Sequence, residues 1–137
     1  MQNAGILRAM NRVVLDASAI LTVLGREPGW EKLTPRILNA SVCSTVNLAE
    51  VQSKLVTRGL KAQEAWEAAL SPVRESVAFS MEHAKIAGSL ISETRPLGLS
   101  LGDRACLALG ISLGVPVYTA VRLWKGLKLG VRIHIIR

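Results

Sequence analysis

Three carboxylates, Asp16, Glu50 and Asp103, each stand where an apolar run meets helix-forming residues. Asp16 ends the run Val13-Val14-Leu15, and its only nearby base, Arg12, lies at the far end of that run. A carboxylate delivered by a buried strand is costly unless something meets its charge. Two such groups about 4 Å apart repel by roughly 4 kcal/mol at an effective dielectric near 20, and three repel more. A cation or shared protons must offset a cluster of this kind. Oxygen ligands without His or Cys nearby select a hard ion, Mg2+ or Mn2+, and disfavour zinc. A plainer role is open to two of the three. Asp16 is placed to cap a helix starting near Ser18, and Ser100-Leu101-Gly102-Asp103 has the form of a capping box.

Those acids need a scaffold that brings them to one place. Short apolar strands are expected at Val13–Leu15, Ser41–Ser44, Val77–Phe79, Val117–Thr119 and Val131–Ile136,. Between them the pattern predicts helices over Ser18–Leu24, Trp30–Leu38, Thr45–Arg58, Lys61–Leu70, Ser80–Ser92 and Ala105–Leu113, with a helical turn at Val121–Lys125. Gly25, Gly59, Pro72, Gly98, Gly114 and Pro116 punctuate them,. Strands alternating with helices argue a parallel sheet covered on both faces through right-handed crossovers. Asp16 then ends the first strand, Glu50 follows the second by a few turns, and Asp103 opens the helix that feeds the fourth. All three can converge on the carboxyl edge, where open α/β sheets bind their ligands.

The length is that of one domain, taken as residues 10–137 after an extension, residues 1–9, without a pattern of its own,. Charged and polar residues break every apolar run before it reaches the roughly 18 residues of a membrane span. No basic start, apolar stretch and cleavage site of a secretory signal is visible. A protein of the cytoplasm with no membrane association is the expectation. Cys43 and Cys106 read as small core residues, and His83 and His134 as ordinary ones away from the acidic edge. The net charge of +7 hints at a polyanion partner,. No acid follows Asp103, whereas Arg104, Arg122, Lys125, Lys128, Arg132 and Arg137 do, so positive potential gathers in the final third. No glycine-rich phosphate loop or cofactor motif appears.

The segments VVLDASAIL, STVNLAEVQSKL, SLGDRACLALG and PVYTAVRLWKGL, in this order from Val13 to Leu127, resemble the signature stretches of the PIN-domain family in its VapC-type toxin branch. The similarity runs from Arg12 to Ile136. It implies a PIN-like three-layer α/β/α sandwich with a central, mostly parallel five-stranded sheet. It also implies a Mg2+- or Mn2+-dependent endoribonuclease, usually a homodimer neutralised by a cognate antitoxin protein. The resemblance places the catalytic, metal-binding acids at Asp16, Glu50 and Asp103, with the hydroxyls of Ser18 and Thr119 nearby. One position departs from the pattern. The family usually carries an acid in a Thr-Ala-Asp-Arg context after the fourth strand, and this chain reads Thr119-Ala120-Val121-Arg122.

Two functional readings result. In the first, the three acids hold a metal that activates water against an RNA phosphate, while Arg104, Arg122, Lys125 and Lys128 grip the backbone. In the second, Val121 has silenced the site, and the protein only binds RNA or its antitoxin. Valine cannot ligate a cation, and even a lost neighbour of a metal ligand commonly costs about 10- to 100-fold in affinity or activity.

Overall fold

The computed structural model describes residues 11–137; the expected extension over residues 1–9 lies outside them. Five strands, β1 (Val13–Leu15), β2 (Ser41–Ser44), β3 (Glu75–Val77), β4 (Val117–Thr119) and β5 (Ile133–Ile135), form one sheet in the order β3-β2-β1-β4-β5. Every pairing is parallel. Among the described residues seven α-helices surround it: α1 (Ala17–Gly25), α2 (Pro35–Asn39), α3 (Thr45–Thr57), α4 (Ala62–Leu70), α5 (Met81–Ser89), α6 (Ile91–Thr94) and α7 (Leu101–Leu113). Short 3-10 turns occupy Trp30–Lys32, Arg95–Leu97 and Arg122–Gly126.

Strand alternation sorts the apolar side chains into two cores, one per face. Val13, Leu15 and Cys43 pack with Ile20, Leu48 and Val51 on one side. On the other, Val14, Val42 and Val117 pack with Cys106, Leu107 and Leu109. This is the expected three-layer α/β/α arrangement. From β1 the chain moves outward through β2 to β3, then returns past β1 to lay down β4 and β5. The order therefore reverses between β1 and β4, and in open α/β sheets ligands bind beyond the carboxyl ends of the strands at such a point. Asp16 ends one of them and Thr119 the other.

Several boundaries differ from the sequence-based expectation. The third strand is Glu75–Val77, not Val77–Phe79, because Val42 pairs with Glu75 and the Ser41 hydroxyl accepts from the Arg74 N–H. The expected helix Trp30–Leu38 is a 3-10 turn followed by α2, since Thr34 caps a new helix with Pro35 in its first turn,. The expected helix Ser80–Ser92 stops at Ser89, with Gly88, a weak helix former, in its last turn,. The left-handed residue closing α1 is Arg26 (φ 48°), not Gly25. The last strand shrinks to Ile133–Ile135.

Candidate metal centre at the carboxyl edge

Asp16 is 3% exposed, and its carboxylate accepts three hydrogen bonds. Its Oδ1 accepts from the Ala19 N–H at 2.8 Å and the Ser18 hydroxyl at 2.7 Å. Its Oδ2 accepts from the Thr119 hydroxyl at 2.6 Å. Each hydroxyl has one proton, and both go to the carboxylate. Their lone pairs accept from the next strand's exit, Ser18 from the Ala120 N–H at 2.8 Å and Thr119 from the Val121 N–H at 3.1 Å. The two hydroxyls thus couple Asp16 to the backbone leaving β4, across the point where strand order reverses. Burial nevertheless pushes the Asp16 carboxyl up to about 6; the bonds from Thr119, Ala19 and Ser18 oppose the rise, and the charge of Asp103 adds to it,.

Glu50 is half-buried, on the second turn of α3. Asn47, one turn earlier and 1% exposed, donates its amide to Glu50 Oε1 at 2.7 Å and to the Gly102 carbonyl at 3.0 Å. This side chain joins α3 to the first turn of α7. Gly102 leaves room for the same contact, because a Cβ there would run into the Glu50 carboxylate. Burial raises the Glu50 carboxyl, as does the charge of Asp103, against the Asn47 bond and Lys54.

Asp103 takes the expected capping role: its Oδ2 accepts from the Ser100 N–H at 2.9 Å, and the Ser100 hydroxyl accepts from the Asp103 N–H. The Asp16 cap is likewise real. Capping and charge coincide in both residues, since Asp103 contributes to the raised carboxyls of Asp16 and of Glu50. The acids share one electrostatic neighbourhood without an ion pair to any of them among the described residues. Arg12 pairs with Glu75 instead. They do not form a closed cage: among the described residues no three Asp, Glu, His or Cys side chains are gathered as a ready-made set of metal ligands.

The chemistry of this edge fits a hard divalent cation. Mg2+ is held through one or two carboxylates and keeps several waters, so a full protein cage is unnecessary. The Asn47 Oδ1 is buried without a partner beside Glu50, and Gly102 leaves the space that the Glu50 carboxylate fills. Neither Asn47 nor Gly102 stands out in the sequence as a site residue. The available signal was a polar side chain three residues before Glu50.

The remaining positions divide. Arg122, Lys125 and Lys128 are exposed beyond β4, whereas Arg104 is pinned to α5 by a 2.9 Å bond from its Nη1 to the Ala87 carbonyl. Val121 packs on the second core and precedes the Arg122–Gly126 turn without a side-chain cap. Cys43 and Cys106 are buried free thiols pushed up by burial, and His83 is buried too. His134 is exposed and stacks on Tyr118, the ring centroids 4.7 Å apart. No described helix is long and apolar enough to cross a membrane.

The family model of the PIN domain matches residues 13–120. No curated protein matches the sequence. Among solved structures, the chain resembles VapBC2 of Rickettsia felis bound to a DNA fragment from their promoter, with a TM-score of 0.68 at 18% identity over 91% of this chain and 98% of that one. DNA-bound VapBC of Salmonella typhimurium gives 0.67 at 18% identity, covering 92% and 98%. VapBC-5 of Mycobacterium tuberculosis, a member of the VapBC family of toxin–antitoxin systems, gives 0.57 at 20% identity, covering 92% and 98%. At these identities the likeness is one of fold.

Proposed function

The chain belongs to the PIN-domain family, and from that premise we propose that it is a VapC-type toxin whose acidic edge is a metal-dependent endoribonuclease site. The observation that carries the reading is the burial of Asp16 at the strand-order reversal, with its carboxyl raised and no cation paired to it. Asp16, Glu50 and Asp103 would hold Mg2+ or Mn2+. Such an ion, when bound, supplies charge stabilisation at a scissile phosphate and acidifies water.

The chain's own residues supply the positioning. Ser18 and Thr119 orient Asp16, and Asn47 fixes Glu50 against α7. Asp103, held by its helix cap, lies within electrostatic reach of both. Arg122, Lys125 and Lys128 would meet RNA phosphates beside this edge. The likeness to VapBC-5, a member of the VapBC family of toxin–antitoxin systems, supports a cognate antitoxin as partner; a homodimer is the expected assembly. Val121 favours a second reading, a silent PIN-fold protein that binds RNA or antitoxin. It puts an apolar side chain where the family usually has an acid.

Calorimetric titration with Mn2+ tests the site before any cleavage is asked for. Asp16→Asn and Glu50→Gln should each weaken binding by about tenfold or more while circular dichroism shows an intact fold. Unchanged affinity in both variants removes the metal centre.

A further inference from the structure

β5 is an edge strand. Its inner side is satisfied by β4: Val117 N–H donates to the Arg132 carbonyl, and the Ile136 N–H donates to the Thr119 carbonyl, each at 2.9 Å. In a parallel ladder, alternate residues turn their backbone groups to the same neighbour. Residues 132, 134 and 136 thus face β4. The N–H and C=O groups of Ile133 and Ile135 face away from the sheet, with no further strand beyond them among the described residues. A cleft of about 510 Å3 runs along this side, lined by Arg122, Lys125, Ile133, His134, Ile135 and Arg137. Three lining residues are cations and none is an acid. Two of the cations are held in place, Arg122 by a bond to the Arg137 carbonyl and Arg137 by Glu27.

We propose that this edge is a docking site for an extended acidic peptide segment of a partner protein, which adds a strand beside β5 and sets its carboxylates against Arg122, Lys125 and Arg137. The open backbone groups ask for another backbone, a demand that nucleic acid does not meet. The cations ask for negative side chains. A second copy of this chain is disfavoured, because two such edges would bring like charges together. The proposal stands apart from the nuclease reading, although a strand seated here would occupy the Arg122 and Lys125 side chains.

The test is amide hydrogen exchange at Ile133 and Ile135, read by NMR on the whole chain, with a synthetic peptide of alternating Glu and Val as the probe. The peptide should slow exchange at both amides. Methylating its alternate backbone nitrogens, which keeps every charge, should weaken binding by about tenfold or more, as the loss of two hydrogen bonds requires. Arg122→Glu with Lys125→Glu should do the same, and a Lys-for-Glu peptide should not bind. Equal binding of the methylated peptide would overturn the proposal. So would protection of the two amides by oligouridylate but not by the peptide, or by raised concentration of the chain alone.

Discussion

Asp16 carries the sharpest expectation. Its carboxyl sits near 6 when folded and near 3.8 when unfolded, so between those values the folded chain holds a proton that the unfolded chain has released. The stability this confers is present below about pH 4, declines as pH rises, and is gone above about 6. A shift of this size amounts to something on the order of 3 kcal/mol. Asp16→Asn keeps an oxygen for Ala19 and Ser18 and offers Thr119 an N–H. Its urea-derived stability should therefore lose that slope against pH, and at pH 7.5 it should exceed that of the parent chain without metal. A parallel slope in both proteins would mean that Asp16 does not bear the buried charge. Gly102→Ala separates space from stability. Its Cβ collides with the movable Glu50 carboxylate, and alanine favours a helix over glycine by up to about 1 kcal/mol. The melting temperature should hold or rise while Mn2+ affinity falls; unaltered affinity would show that Glu50 is not placed by that gap.

At the scale of elements, the first turn of α7 serves two ends. The box between Ser100 and Asp103 satisfies helix N–H groups, and Asp103 brings negative charge to the edge. Ser100→Ala should cost about 1 kcal/mol in thermal unfolding and leave metal affinity nearly intact. Asp103→Asn should cost no more stability than that, yet lose metal; the reverse pattern would make Asp103 a cap alone. The sequence reveals most of this, since Asp16, Ser18 and Thr119 sit at the ends of apolar strands. It does not reveal Asn47 or Gly102, whose roles exist only once α3 and α7 pack together. Nor does it locate β3. Glu75 and Ser76 are exposed at the sheet edge, so hydrophobicity points two residues too far along, to Phe79. The break at Thr34-Pro35 is visible as a cap followed by proline, but the apolar spacing through Ile37 and Leu38 obscures it.

At the scale of the whole molecule, the proposed nuclease pairs an acidic edge with a cationic flank beyond β4. Single-stranded RNA should bind with log affinity falling linearly in log salt, at a slope near −0.7 per phosphate neutralised. Lys125→Ala with Lys128→Ala should flatten it, and Arg104→Ala, already tied to α5, should not; binding indifferent to salt would exclude phosphate contacts. Cleavage of bound RNA is expected to turn on Val121. Aspartate there would open the Arg122–Gly126 turn with a cap that valine lacks, offsetting lost packing, so the fold should tolerate it. The decisive measurement is side-by-side RNA cleavage, with Mg2+ and with Mn2+, by the chain as it stands, by Val121→Asp, and by Val121→Asp with Asp16→Asn, at matched folded concentration. Weak or absent cleavage is expected in the first, a large metal-dependent gain in the second, and loss of that gain in the third. Equal metal-dependent cleavage by the first two, or undiminished cleavage by the third, would contradict the proposed site.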